Sequence, residues 1–174
     1  KFITVIPPNL FGANDNYDSQ NSHVLAALLR KFYLAKKRGL KKITIWGTGK
    51  PRREFLYSVD AANIIIDIME LNEKQIIKHT KGKFCHINIG TGKDYTINTI
   101  VGIIRKISGF NGKIQYDKKY PDGVKRKVLN INLLKKISPK SLNKKIIERK
   151  SFEKNIKKIY DELNDAKFTK FEKN

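Results

Sequence analysis

A chain of 174 residues suits one domain, or one domain with part of a second. Its 40% hydrophobic and 30% charged residues allow a buried core and exclude wholesale disorder, and no apolar run reaches the length of a membrane span. The net charge of +21 raises nucleic acid as a partner, but residues 125–174 hold 16 Lys+Arg against 6 Asp+Glu while residues 1–124 hold 21 against 10. The excess is spread along the chain, without aromatic–basic interleaving or zinc-ligand spacings. A lysine-rich composition accounts for it as well as nucleic acid does.

The opening "KFITVIPPNLFG" has no initiator Met, long apolar region or cleavage site. The expectation is a chain without a signal peptide, cut from a longer polypeptide or processed. Phe2–Ile6 is dense in β-branched residues and reads as a strand buried on both faces, as in a parallel sheet. Pro7–Asn21 reads as loop. From Ser22, Val24, Leu25, Leu28, Leu29 and Phe32 recur at helical spacing, with an end near Arg38-Gly39. Ile43–Trp46 is a second strand, stopped by "GTGKP", and Glu54–Tyr57 a third. Ser58 or Asp60 then caps a helix over Ala61–Leu71, carried on Ile64, Ile65, Ile68 and Met69.

Cys85 is the single cysteine; it excludes an internal disulfide, reads as core and fits a reducing, cytoplasmic setting. His86–Ile89 is a short strand ended by a second "GTG". Thr96 caps a helix through Ile97, Ile100, Ile104 and Ile107 that stops at Gly109. Lys113–Tyr116 is another strand. Beyond Pro139 one amphipathic helix is expected, around Phe152–Leu163, followed by a fraying tail. Strands alternating with helices indicate an α/β protein. Both "GTGK" segments read as turns, being too short for a phosphate-binding P-loop.

Three stretches together resemble one family. "PPNLFGANDNYDSQNSHVLAALLRKF" is similar to the segment after the catalytic Tyr-Lys helix of GDP-L-fucose synthases. "IWGTGKPRREFLYSVDAANIII" resembles their substrate domain. "HINIGTGKDYTI", with "YPDGVKRKVLNI" after it, resembles their C-terminal half. The likeness runs from about Phe2 to Asn132 and places the chain among extended short-chain dehydrogenase/reductases. It implies an α/β substrate-binding domain with a remnant of the Rossmann sheet: residues 1–21 a strand and crossing loop, 22–163 the substrate-binding domain, 164–174 a tail. It implies conversion of GDP-4-keto-6-deoxy-D-mannose to GDP-L-fucose by 3,5-epimerisation and NADPH-dependent 4-reduction, in a homodimer. The Gly-rich dinucleotide fingerprint and the catalytic Tyr-x-x-x-Lys are absent here, so the chain alone is expected to be inactive without an N-terminal Rossmann half. Another nucleotide-sugar epimerase/reductase of the same superfamily, or a basic nucleic-acid-binding domain, are the alternatives.

The resemblance maps the general acid onto His23. Proton exchange beside a ketone needs a group that titrates near neutrality, although a histidine at a helix start can equally be merely exposed. Pro7, Pro8, Asn9 and Leu10 are placed by the resemblance on the nicotinamide side of NADP(H), together with His23; an ordinary strand exit would look the same. Lys31 and Arg53 are candidates for the diphosphate, since cations pair with phosphate oxygens, with Arg52 as the alternative reader and Arg126 as a helper. Solvated surface charge is the other reading of Lys31. By resemblance Trp46 packs at the sugar nucleotide, against a plain core role. Asp122 in "YPDG" is either a hydrogen-bond acceptor for sugar or guanine, or part of a turn. Glu54 and Asp60 read as a structural partner and a cap, His79 as a loop histidine and His86 as a strand histidine; no metal ligand set is expected.

Overall fold

Leu25, Ala26, Leu28, Leu29, Phe32 and Ala35 fall on one face at helical spacing, and in the computed structural model all are buried on helix α1, Val24–Lys37. The structure describes residues 3–18, 21–80 and 86–164; Phe2, Cys85 and tail residues 165–174 lie outside them. Strand β1 (Thr4–Ile6) pairs in parallel with β5 (His86–Asn88). Strand β2 (Asn9–Phe11) pairs in parallel with β4 (Arg52–Tyr57), and β4 also takes β6 (Asp94–Thr96) antiparallel and β8 (Arg126–Lys127) parallel. Strand β3 (Lys42–Trp46) pairs in parallel with β7 (Lys113–Asp117).

The remaining helices include α2 (Ser58–Met69), α3 (Glu73–Thr80), α4 (Ile97–Ser108), α5 (Asn132–Ile137) and α6 (Lys144–Ile147). A 3₁₀ turn spans Pro139–Leu142 and α7 covers Arg149–Asn164. The α/β class is as the alternation predicts. Two cores result. One gathers α1, α4 and α7 over β3, with Phe32, Ile45, Ile100, Ile104 and Ile156 at its centre. The other packs Ile64 and Ile68 of α2 with Leu56, Ile87 and Leu134.

Several expectations need correction. β1 is not buried on both faces: Thr4 and Ile6, on one face, are exposed, so among the described residues nothing covers that face fully, and β5 is the strand's sole sheet neighbour. Part of the supposed loop, Asn9–Phe11, pairs with β4 instead. Helix α2 starts at Ser58 with Tyr57 as N-cap and no side-chain cap, so neither Ser58 nor Asp60 caps it. Met69 points to solvent at 76% exposure, since Ile64 and Ile68 already supply the inward stripe. His79 belongs to α3, not a loop. Thr96 does cap α4, its Oγ1 accepting from Thr99 N at 3.0 Å, and Gly109 ends that helix in the left-handed region.

Candidate functional site

The start of α1 meets the ends of β3 and β4 at an open cavity of ≈ 310 Å³. Helical spacing decides what α1 contributes. Val24, Ala27, Leu28 and Lys31 face the cavity, while Leu25, Leu29 and Phe32 turn into the core. Trp46 comes from the end of β3, Arg53 from β4 and Asp122 from the loop after β7. Four residues spread over 92 positions of sequence thus share one wall.

Each has a defined setting. Trp46 is 53% exposed, which removes the core reading. Its indole stacks on Tyr120, centroids 4.3 Å apart and planes 9° apart. Lys31 Nζ lies 4.9 Å from the Trp46 centroid and donates to the Thr44 carbonyl at 3.0 Å. Burial holds its ammonium below the usual lysine range, because a partly desolvated cation is destabilised. Arg53 Nη1 donates to the carbonyls of Val124 (2.6 Å) and Arg52 (2.9 Å), which aims the guanidinium without an acidic partner in those bonds.

Adjacent strand residues face opposite ways, and this separates Arg53 from Arg52. Arg52 and Arg126, paired in register on β4 and β8, both bind Asp94. The Arg52 hydrogen bond, with help from Arg126, holds the Asp94 carboxyl below the ordinary range. Arg52, the alternative reader, and Arg126, the helper, are thus both engaged by Asp94, and neither lines the cavity.

Asp122 is a turn residue as well as a wall residue. Its Oδ1 accepts from Thr48 N and its Oδ2 from Thr48 Oγ1, both at 2.6 Å. Gly47, at φ +77°, has the space of its missing Cβ filled by this carboxylate, so the first GTG turn requires glycine there. Glu54 plays the equivalent part for the second. It is fully buried and accepts from Thr91 N (2.6 Å), Gly92 N (2.7 Å) and Leu129 N (2.8 Å). That is the structural partnership expected of it.

His23 is the N-cap of α1, exposed, with extended backbone and no side-chain cap. Its neighbours Ser22 and Val24 line the cavity, but His23 does not. Pro7 and Pro8, between β1 and β2, and Asn9 and Leu10, on β2, do not line the cavity; Pro7 and Leu10 are exposed. Asn9 does not hold its amide out: Nδ2 donates to the Glu54 carbonyl at 2.7 Å. Two contributors escape the sequence reading, Tyr120 and Thr48. An aromatic directly before Pro-Asp-Gly was the available signal for Tyr120; nothing local marks Thr48, whose partner is 74 positions away. Among the described residues no group of His, Cys, Asp and Glu could hold a metal ion, and no helix is long and apolar enough to cross a membrane.

Known proteins share this arrangement of sequence and fold. The model of the NAD dependent epimerase/dehydratase family matches residues 1–90. GDP-L-fucose synthase of Escherichia coli (strain K12) is 40% identical over 133 residues, 76% of this chain and 41% of that protein. A GDP-L-fucose synthetase from Naegleria fowleri, solved bound to NADP, superposes with a TM-score of 0.79 at 27% identity, covering 97% of this chain and 48% of the other. A GDP-6-OMe-4-keto-L-xylo-heptose reductase from C. jejuni gives 0.75 at 35%, covering 94% and 53%. The chain thus spans about two-fifths of the length of the curated relative and about half of the solved ones.

Proposed function

Because this chain belongs to the NAD dependent epimerase/dehydratase family, we propose that it is the sugar-nucleotide-binding part of a GDP-sugar epimerase/reductase. The finer reading is a GDP-L-fucose synthase, which epimerises C3 and C5 of GDP-4-keto-6-deoxy-D-mannose and reduces its C4 ketone. The observation that carries this is the convergence of Lys31, Trp46, Arg53 and Asp122, from four separate segments, on one cavity. Two cations there suit a diphosphate, and the half-exposed indole can offer its edge to a base or sugar. The N-terminus of α1 adds positive potential at the same place. Asp122 acts through Thr48, shaping the turn that leads Trp46 to the cavity.

His23 is the proposed proton-exchanging group. It stands at the cavity margin, as the N-cap of α1 between Ser22 and Val24, which line the cavity. NADP(H) is the proposed cofactor, supported by the NADP bound to the Naegleria relative. The residues fit such a group: Pro7 and Leu10 are exposed where parallel strand β1 ends, and ligands of parallel sheets bind at the carboxyl ends of strands. Pro7, Pro8 and Leu10 would offer apolar contact, with Asn9 fixing the backbone through Glu54. When bound, the cofactor supplies hydride to the ketone. The remaining length of the relatives is the proposed source of the groups this chain lacks, so catalysis is proposed only for the complete polypeptide.

Trp46 is the only tryptophan, which makes the test direct. GDP should quench its emission saturably, and UDP should do so at least tenfold more weakly. Equal or stronger response to UDP would overturn the GDP assignment. For His23, the His23→Asn change in the complete enzyme should slow solvent-deuterium exchange at C3 and C5 by about 10²-fold or more; wild-type exchange would remove it from the mechanism.

A further inference from the structure

Tyr120 has no place in the cavity wall, yet it touches the residue at its centre. Its ring lies 4.3 Å from the Trp46 ring and nearly parallel to it. A ring that close fills one face of the indole, so the Lys31 ammonium over the same ring takes the other. Trp46 and Lys31 line the cavity and Tyr120 does not. The three side chains form layers, with the phenol outermost, the indole between and the ammonium on the cavity side.

Trp46 needs such support. It ends a strand, is half exposed and belongs to neither hydrophobic core. An indole in that position retains rotamer freedom unless a neighbour removes it. Tyr120 is itself well placed to do so, because its loop is tied down close by: Asp122 binds Thr48, and the Val124 carbonyl accepts from Arg53.

We propose that Tyr120 is a positioning residue of the sugar-nucleotide site, holding Trp46 from its outer face and, through the indole, the Lys31 ammonium on the inner one. This rests on the reading of the cavity given above. The face of the ring does the holding, so phenylalanine should replace tyrosine without loss.

Wild type, Tyr120→Ala and Tyr120→Phe are compared by Trp46 emission, anisotropy and GDP titration, with thermal melts alongside. The alanine variant should show red-shifted emission and lower anisotropy before any ligand is added, and a GDP Kd raised about three- to tenfold, the scale of an aromatic pair. The phenylalanine variant should match wild type within about twofold. Melting should change little, since Tyr120 is in an exposed loop outside both cores. GDP binding unaltered by Tyr120→Ala, or a phenylalanine variant as impaired as alanine, overturns the role of Tyr120 alone. Failure of wild type to bind GDP overturns the reading of the cavity, and the ligand-free emission and anisotropy still decide whether Tyr120 holds the indole.

Discussion

The two Gly-Thr-Gly turns, residues 47–49 and 90–92, are the same four-letter word with lysine included, and they are built the same way. In each, the threonine Oγ1 accepts from the lysine amide two residues on, at 3.2 Å for Thr48 and 3.1 Å for Thr91. In each, a carboxylate from a remote part of the chain accepts from the threonine N–H and hydroxyl. They differ in where the carboxylate sits. Glu54 is sealed between two sheet segments and also receives Gly92 and Leu129. Asp122 stands at the rim of an open cavity. The same turn therefore serves stability in one place and cavity geometry in the other, because a fully buried carboxylate cannot lose its donors without cost while a half-buried one at an open rim can exchange them with water more cheaply.

That contrast can be broken by mutation. The largest effect should come from Glu54→Ala, which removes a fully buried carboxylate and leaves the part-buried amides of Thr91, Gly92 and Leu129 without their acceptor. About 3–5 kcal/mol of stability should go, roughly 10 °C in Tm, by thermal or denaturant unfolding. A melt within 2 °C of wild type would remove Glu54 from the framework. Next comes the pair of threonines. Thr91→Val should cost about 1 kcal/mol and leave GDP affinity unchanged. Thr48→Val should weaken GDP several-fold and disturb the melt less. The reverse pattern would exchange the roles of the two turns.

The smallest effect is a dependence on acid. The Thr48 hydroxyl, then its N–H, hold the Asp122 carboxyl below the ordinary carboxylate range. A depressed folded pKa means the stabilisation is intact above the unfolded value, near pH 4, and is lost as pH falls through the folded one. Wild type should therefore lose slightly more stability than Asp122→Asn when melts at pH 6 and pH 3 are compared. Parallel losses would show that the Thr48 contacts do not outlast hydration.

What was legible in the chain followed from length and period. Helices α1 and α4 declare themselves because each runs three turns or more with an apolar stripe, and α4 has Thr96 and Gly109 at its ends. Strands of two or three residues, such as β2, β6 and β8, cannot show an alternation; they exist because β4 offers edges to pair with. Helix α3 is polar, with Ile76 its one buried residue, so no stripe marks it. The site is a different matter. Residue type and spacing alone left Lys31, Trp46 and Asp122 undecided between surface, core and turn. Family resemblance grouped them, and the fold brings them to one wall. It could not foresee Tyr120 or Thr48, whose partners are 74 positions away in each case.

The strand β1 has a consequence for how this chain behaves in solution. Among the described residues its outer edge is unpaired, and Ile3, Ile6 and Leu10 are each about 40% exposed beside it. Thr4–Ile6 itself carries no lysine, one of the usual protections of a strand edge. The net charge of +21 on each copy opposes association there by long-range repulsion. Colloidal stability is thereby entrusted to charge and not to shape. Salt shortens the reach of that repulsion to roughly 10 Å at 0.1 M and 3 Å at 1 M, so the chain should be most soluble in dilute buffer and self-associate as ionic strength rises.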